Sequence, residues 1–183
     1  KTGKCIITNK GMGVSEISKF QSLGTDYLFS FGKDVKCWEI KTGRCVQTYK
    51  GHTGSVWSLA LSNNGKILYT GSLDNTAKCW NIKTGECKMT FTGHTDSVTS
   101  LYPDSENKIL YTWSSDKTAR CWNIKTGRCI KILDLSKSIY AVFVRNNCRY
   151  IIPVPLFSGP ELWDIKTGKC IMKFPYSIRA DLR

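Results

Sequence analysis

The 183-residue sequence predicts an all-β protein built from a repeated unit of four strands. Five copies of the pattern Lys-Thr-Gly-x-Cys begin at positions 1, 41, 83, 125 and 166, so the intervals are 40, 42, 42 and 41 residues. A nearly constant period of this size is typical of stacked supersecondary units. Apolar runs alternate with turn residues inside each period, and no segment keeps the 3.6-residue apolar spacing of an amphipathic helix.

Residues 56–91 show the content of one unit. The runs VWSLALS, KILYTGS, TAKCWNI and ECKMTF each predict a strand, and NNGK, LDNT and KTG predict the turns between them. Gly after Asn or Thr supplies the positive φ that tight hairpin turns require. We therefore expect four complete units at 10–49, 50–91, 92–133 and 134–174, the last one degenerate. Residues 1–9 predict the outer strand of an upstream unit, and 175–183 predict the start of a further one.

Composition limits the class of protein. Hydrophobic residues make up 41% of the chain, which suffices for a packed core, and no apolar run is long enough for a membrane helix. Nine cysteines, an odd number, and the absence of an Asn-x-Ser/Thr sequon favour an intracellular location, cytoplasmic or nuclear. The formal net charge of +13 raises nucleic acid or an acidic protein as a partner.

The cysteines follow the repeat. Cys37, Cys79 and Cys121 each precede a Trp, and Cys5, Cys45, Cys87, Cys129 and Cys170 each begin a fourth strand, while Cys148 stands apart. We expect both repeated positions to hold buried thiols that act as small hydrophobes. A disulfide between the two positions of one hairpin stays open, because sequence does not fix whether they face each other. No Cys-x-x-Cys pair is present, so no metal site is expected.

Two units carry a recognisable signature. Gly51-His52 is followed by Trp80-Asn81, and Gly93-His94 by Trp122-Asn123, while Trp38-Glu39 and Trp163-Asp164 close the flanking units. This pattern resembles the WD-repeat family. The resemblance implies a β-propeller with four-stranded antiparallel blades around a channel. We expect about four blades here, as an internal segment of a ring of about seven; two copies pairing into eight blades is the alternative.

The resemblance also implies a buried hydrogen-bonded tetrad in each blade, formed by a His, a Ser or Thr, an Asp and a Trp. Carried over by position, it gives His52, Thr70, Asp74 and Trp80, then His94, Thr112, Asp116 and Trp122. The first blade keeps Ser30, Asp34 and Trp38, but Met12 replaces the His. The fourth has Ser136, Pro153 and Phe157 and keeps only Trp163, and its prolines put the pairing of that strand in doubt.

A His-Asp-Thr set also resembles catalytic machinery, but one copy per blade suits a structural clamp better than a single active site. No nucleophile elbow, phosphate loop or metal cluster accompanies it. We therefore predict no enzyme, no catalytic residue and no cofactor.

Two surfaces are candidates for binding. By resemblance to G-protein β subunits, partner-binding positions are Ser55, Trp57, Leu73, Asn75, Ser97, Thr99, Ser115 and Lys117, with Lys33, Val35, Tyr140, Leu156 and Ser158 in the outer blades. Trp57 and Tyr140 are good interface anchors, although either could pack between blades instead. The Lys-Thr-Gly turns share one edge and gather Lys1, Lys4, Lys41, Arg44, Lys83, Lys125, Arg128, Lys166 and Lys169, with Glu86 as the exception. This basic rim could meet phosphates or acidic protein, or be simply a soluble turn, and these turns lack the aromatics of single-strand readers.

The function expected from the resemblance is a non-enzymatic protein–protein interaction scaffold within a multiprotein complex. One alternative is a subunit of an RNA-containing assembly that uses the basic rim. Another is a substrate adaptor of a ubiquitin ligase, but adaptors that read phosphopeptides place Arg where this chain has Trp57, Leu73, Thr99 and Ser115. Only Arg179 fits that pattern.

Overall fold

The computed structural model describes residues 19–23, 27–104, 106, 108–135, 139–145, 150–155, 159 and 161–175. This part of the chain contains no helix, and its strands form four separate four-stranded sheets. Blade 1 consists of β1 (Lys19–Leu23), β2 (Tyr27–Phe31), β3 (Val35–Glu39) and β4 (Cys45–Tyr49). Blade 2 consists of β5 (Val56–Leu61), β6 (Ile67–Ser72), β7 (Ala77–Asn81) and β8 (Cys87–Phe91).

Blade 3 consists of β9 (Val98–Pro103), β10 (Ile109–Ser114), β11 (Thr118–Asn123) and β12 (Cys129–Asp134). Blade 4 consists of β13 (Ile139–Arg145), β14 (Tyr150–Pro155), β15 (Glu161–Asp164) and β16 (Lys169–Lys173). Within each blade, each strand pairs antiparallel with the next one along the chain. The all-β prediction and the repeated four-stranded unit are therefore confirmed, whereas the size of the complete ring stays a prediction.

The Lys-Thr-Gly turn joins the third strand of a blade to the fourth, and the last residue of the third strand caps it. In blade 2 the side-chain oxygen of Asn81 accepts from the backbone N–H groups of Lys83 and Thr84, at 2.9 and 3.2 Å. Gly85 adopts φ +74° and donates its N–H to the carbonyl of Asn81 at 2.9 Å. Asn123 and Asp164 cap the turns of blades 3 and 4 in the same way.

Apolar clusters fill the spaces between consecutive blades. One joins β2, β3 and β4 to Val56, Leu59, Leu68 and Trp80 of blade 2. A second joins blades 2 and 3 through residues such as Phe91, Leu101 and Trp122, and a third joins blade 3 to Ile165 of blade 4. Each blade therefore buries its apolar faces against its neighbours rather than within itself.

The turn glycine also touches the preceding blade. A Cβ at Gly85 would lie 2.9 Å from the side chain of Gln47 on β4, and one at Gly127 would lie 2.7 Å from the sulfur of Met89 on β8. Hydrogen bonds accompany this contact: Lys131 Nζ donates to the carbonyls of Ile165 and Lys166, both at 2.6 Å. Glycine is favoured here by its positive φ, and a Cβ would also displace the end of the facing side chain.

Two β-bulges recur at fixed places. Near the start of the inner strand, one residue is skipped in the pairing with the second strand, and in blades 2, 3 and 4 this residue is Trp57, Thr99 and Tyr140. A second bulge follows the cysteine near the start of the outer strand, at Val46, Lys88, Ile130 and Ile171. Bulges redirect a side chain and interrupt pairing along an edge.

The prediction that all repeated cysteines are buried is half wrong. Cys37, Cys79 and Cys121 are buried, but Cys45, Cys87 and Cys129 are exposed and Cys170 is half-buried. The exposed set precedes the bulge of the outermost strand, where no further strand covers it. All the cysteines that the structure describes are free thiols.

In blade 4, β14 pairs with β13 along its whole length, including Pro153 opposite Val142. Its pairing with β15 covers only Tyr150 and Ile151, at the end away from the prolines. Several sequence predictions fall outside the described residues, namely the strand at 1–9, the continuation at 176–183, Lys1, Lys4, Cys5, Met12, Ser136, Cys148, Leu156, Phe157, Ser158 and Arg179. No helix that could cross a membrane occurs in the described part of the chain.

Candidate functional site

The tetrad of blade 2 forms a continuous hydrogen-bonded chain. Trp80 Nε1 donates to Thr70 Oγ1 at 2.9 Å, and Thr70 Oγ1 lies 2.7 Å from His52 Nε2. His52 Nδ1 lies 2.7 Å from Asp74 Oδ2, and because a carboxylate can only accept, Nδ1 carries the proton. The hydroxyl of Thr70 then donates to Nε2, so every member has a partner. Thr70 is fully buried and Trp80 is 1% exposed.

The protonation states fit this arrangement. Burial lowers the pKa of His52, although the bond to Asp74 opposes the shift, so the imidazole is neutral. Burial alone would raise the pKa of Asp74, but hydrogen bonds from Thr76, His52 and the backbone of Thr53 outweigh it and hold the pKa at about 2. The pair is therefore a neutral imidazole that donates to a carboxylate.

Blade 3 repeats the geometry. Trp122 Nε1 donates to Thr112 Oγ1 at 2.7 Å, Thr112 Oγ1 lies 2.8 Å from His94 Nε2, and His94 Nδ1 lies 2.7 Å from Asp116 Oδ2. Burial again lowers the pKa of His94, while hydrogen bonds outweigh burial and hold the pKa of Asp116 at about 2. A hydroxyl held between an indole and an imidazole inside each of two blades acts as a structural clamp.

The outer blades keep only parts of the clamp. In blade 1, Trp38 Nε1 donates to Ser30 Oγ at 2.8 Å. Asp34 lies in the turn between β2 and β3, which has three residues between the last paired positions of the two strands, whereas the equivalent turn of blade 2 has five. Among the described residues, the carboxylate of Asp34 bonds to neither Ser30 nor Trp38. In blade 4, Trp163 Nε1 donates to the carboxylate of buried Glu161 at 3.0 Å, a partner that the sequence did not indicate.

The clamp fixes the loops at one edge of the blade, which we call the upper edge. The carboxylate of Asp74 accepts from the backbone of Thr53 at 2.9 Å, and Ser72 Oγ donates to the carbonyl of Gly54 at 3.0 Å. The N–H of Leu73 donates to the carbonyl of Ser55 at 2.9 Å. The loop before the inner strand and the turn after the second strand are therefore tied together.

The predicted partner-binding positions lie on these loops or, for Trp57 and Thr99, at the bulge of the inner strand. Trp57 is 44% exposed and Leu73 is 43% exposed, so neither is packed between blades. Ser55, Ser115 and Lys117 are exposed, whereas Asn75, Ser97 and Thr99 are half-buried. Asn75 and Lys117 adopt positive φ. Val35 was expected at this surface but is 1% exposed and belongs to the core between blades 1 and 2, because it pairs with Phe31 immediately after the shorter turn. The backbone of Tyr140 sits at the equivalent bulge, and its side chain lies outside the described part.

The opposite, lower edge carries the Lys-Thr-Gly turns. The rim residues that the structure describes are all exposed: Lys41, Arg44, Lys83, Lys125, Arg128, Lys166 and Lys169. Because the strands run as a meander, the turn between the first and second strands reaches the same edge. That turn adds Lys66 in blade 2, and the bulge adds Lys88, neither of which was predicted. Tyr27 and Tyr102, 38% and 39% exposed, also lie at this end of their strands.

Metal ligation has no support in the described residues, where no group of three or more His, Cys, Asp or Glu side chains is placed to hold an ion.

A family model described as "WD domain, G-beta repeat" matches residues 43–81 and 85–123 of the chain. Eukaryotic translation initiation factor 3 subunit I is 48% identical in Aspergillus niger and 47% identical in Emericella nidulans, each over 53 residues. That segment covers 28% of this chain and 16% of the relatives. U3 small nucleolar RNA-associated protein 12 of Saccharomyces cerevisiae is 40% identical over 47 residues, or 25% of this chain and 5% of the yeast protein. The similarity thus spans a small part of each relative.

Proposed function

We propose that this chain, which contains WD repeats, is a non-enzymatic scaffold that presents its upper edge to other proteins in an intracellular multiprotein complex. The observation that carries the proposal is a pair of large apolar side chains that are both more than 40% exposed, Trp57 at the bulge of β5 and Leu73 in the turn tied to the loop before β5. Large apolar groups on a rigid support favour binding, because little conformational entropy is lost when they are covered.

The two side chains have the properties of interface anchors. Tryptophan is among the residues that contribute most to protein–protein binding when it enters a pocket on the partner. Trp57 occupies a bulge, which aims a side chain away from the regular pleat. Leu73 lies in the turn bonded to Ser55, two residues before Trp57. A partner could therefore cover both side chains at once.

The relatives support membership of a multisubunit assembly but do not identify the partner. Their names describe a subunit of a translation initiation factor and a protein associated with a small nucleolar RNA. These similarities and the exposed anchors together support membership of a multisubunit assembly, and nothing more specific. Reading of phosphopeptides for a ubiquitin ligase has less support, because Trp57, Leu73, Thr99 and Ser115 provide no guanidinium for a phosphate.

The experiment is affinity purification of the tagged protein from its native cells, with and without RNase, followed by mass spectrometry. The test variant is Trp57→Ala with Leu73→Ala. The control is Ile130→Ala with Ile132→Ala, which removes two apolar side chains of similar exposure, 55% and 53%, from the outer strand β12.

We expect RNase-resistant partners that are retained by the control variant and lost from the test variant. Retention of every partner by the test variant would contradict binding through the upper edge. Loss of all partners on RNase treatment alone would contradict a protein scaffold.

A further inference from the structure

A groove of about 430 Å³ lies at the lower edge of blade 2, between the β5–β6 turn and the Lys-Thr-Gly turn. Its lining includes three lysines and two asparagines: Lys66, Lys83, Lys88, Asn64 and Asn81. We propose that this groove and the exposed tyrosines of the same edge bind single-stranded nucleic acid, with the lysines contacting the phosphates. This surface is opposite to the one proposed for protein partners.

The groove offers hydrogen-bond donors where a phosphate needs them. The side-chain oxygen of Asn64 accepts from Ser62 Oγ at 2.8 Å and from the backbone N–H of Lys66 at 3.1 Å. The oxygen of Asn81 is likewise used by the backbone of the Lys-Thr-Gly turn. Within the described part of the chain, each amide NH₂ group is left as an available donor. Two amides and three ammonium groups together favour an anion with several acceptor oxygens.

The next blade along the chain, blade 3, differs at this position. In blade 3 the β9–β10 turn carries acids instead: Asp104 Oδ1 accepts from the backbone of Lys108 at 2.7 Å, and Glu106 pairs with Lys108 Nζ at 2.5 Å. The cation of that turn is thus partly neutralised by its own carboxylates. In blade 2, by contrast, no carboxylate lines the groove.

Two exposed tyrosines at the same edge favour a nucleic acid over an acidic protein. Tyr102 is 39% exposed near the end of β9, the inner strand that lies beside β5, and Tyr27 is 38% exposed at the start of β2. Proteins that bind single strands combine a basic groove along the backbone with exposed aromatic rings on which bases stack. Lysines alone would suit either an acidic protein or a phosphate backbone, whereas lysines with exposed rings at one edge favour the latter.

The test is fluorescence anisotropy of the full chain with a labelled oligouridylate of about 20 nucleotides, between about 50 and 200 mM KCl. The test variant is Lys66→Gln with Lys88→Gln. The control is Lys33→Gln with Lys50→Gln, which removes the same charge from exposed positions at the upper edge. Tyr102→Leu tests stacking separately.

Each phosphate contact contributes about −0.7 to the slope of log affinity against log salt for a single strand, so loss of two contacts should flatten the slope by about 1.4. A change of about 1.4 in this slope corresponds to an affinity loss of about 25-fold at 0.1 M salt. The control pair should leave the slope unchanged. Tyr102→Leu should weaken binding at least about five-fold without altering the slope.

An equal effect of the control pair would overturn the proposal, because binding would then follow net charge and not the groove. Competition by polyglutamate as effective as that by unlabelled oligouridylate would overturn it in favour of an acidic protein. Normal affinity of Tyr102→Leu would contradict single-strand stacking. Trp57→Ala with Leu73→Ala should leave oligouridylate binding unchanged, so this proposal and the scaffold proposal can fail independently.

Discussion

Replacement of Thr70 by Val tests the buried clamp, because Val has nearly the same shape but no hydroxyl. In the wild type, the Thr70 oxygen accepts from Trp80 Nε1 at 2.9 Å and contacts His52 Nε2 at 2.7 Å. The variant leaves both groups without a partner in a site from which water is excluded. Each buried unpaired group costs about 1–3 kcal/mol, so we expect a loss of about 2–6 kcal/mol in the free energy of unfolding. Such a loss is a large part of the stability of an ordinary domain.

Urea unfolding, followed by tryptophan fluorescence and circular dichroism, measures this loss. Two controls separate the hydroxyl from the methyl group. Thr70→Ser keeps the hydroxyl, as Ser30 does in blade 1, and should cost only about 1 kcal/mol for one buried methyl. Thr99→Val removes a half-buried hydroxyl with a single 3.4 Å bond and should cost less than about 1 kcal/mol. If Thr70→Val costs no more than these controls, the clamp does not stabilise the blade.

Three further predictions concern pH, the turn glycines and the thiols. Burial lowers the pKa of the two histidines in the folded state, so the unfolded chain binds protons at a higher pH than the folded one. The free energy of unfolding measured in urea should therefore decrease as pH falls below about 6.5. The pH dependence should be weaker in His52→Asn, and an unchanged dependence would assign it to other groups. Gly85→Ala should destabilise the chain more than Gly65→Ala in the same assay. Both glycines have positive φ, but a Cβ at Gly85 would lie 2.9 Å from the side chain of Gln47, whereas a Cβ at Gly65 meets nothing within 4 Å. Equal losses would argue against the contact between blades. Ellman's reagent should label exposed thiols in the folded protein and buried ones only in urea, where burial no longer raises their pKa to about 11 or 12; the buried set is Cys37, Cys79 and Cys121.

The strands and turns were predictable because their determinants are local. A Gly that follows Asn or Thr at a constant period fixes where a hairpin turns, and the alternation of apolar runs fixes the strands between them. The contacts of the clamp have a longer range: His52 and Asp74 are 22 residues apart and meet only in the folded blade. Sequence spacing identified these residues through resemblance to a family, but their distances and protonation states required the structure.

Residues whose role depends on a shared edge were harder to find. Lys66, Lys88 and Tyr102 belong to different strands or turns, and only the antiparallel order of the strands brings them to the lower edge with the Lys-Thr-Gly turns. In a meander, alternate turns lie at the same edge of the sheet, so the predicted strand order alone would have placed Lys66 at the lower edge. The exposure of Lys88 depends on a bulge, which the sequence did not signal. The cysteines of the outer strands were wrongly predicted to be buried. A sequence repeat shows that their positions are equivalent, but it does not show whether that shared position is buried or exposed.

Equivalent positions can also be built differently, and the spaces between blades show this. At Gly71 a Cβ would lie 2.8 Å from Val98 Cγ1, so blade 3 packs directly against the backbone of β6. The equivalent residue of blade 3 is Trp113, which is 1% exposed and fills the space toward Ile165 of blade 4. A close contact at a glycine is thus followed, at the equivalent position, by an interface that an indole fills. Blades 2 and 3 share one sequence pattern but pack differently against the blade that follows each, because a close-packed interior requires the side chains at each interface to fit one another.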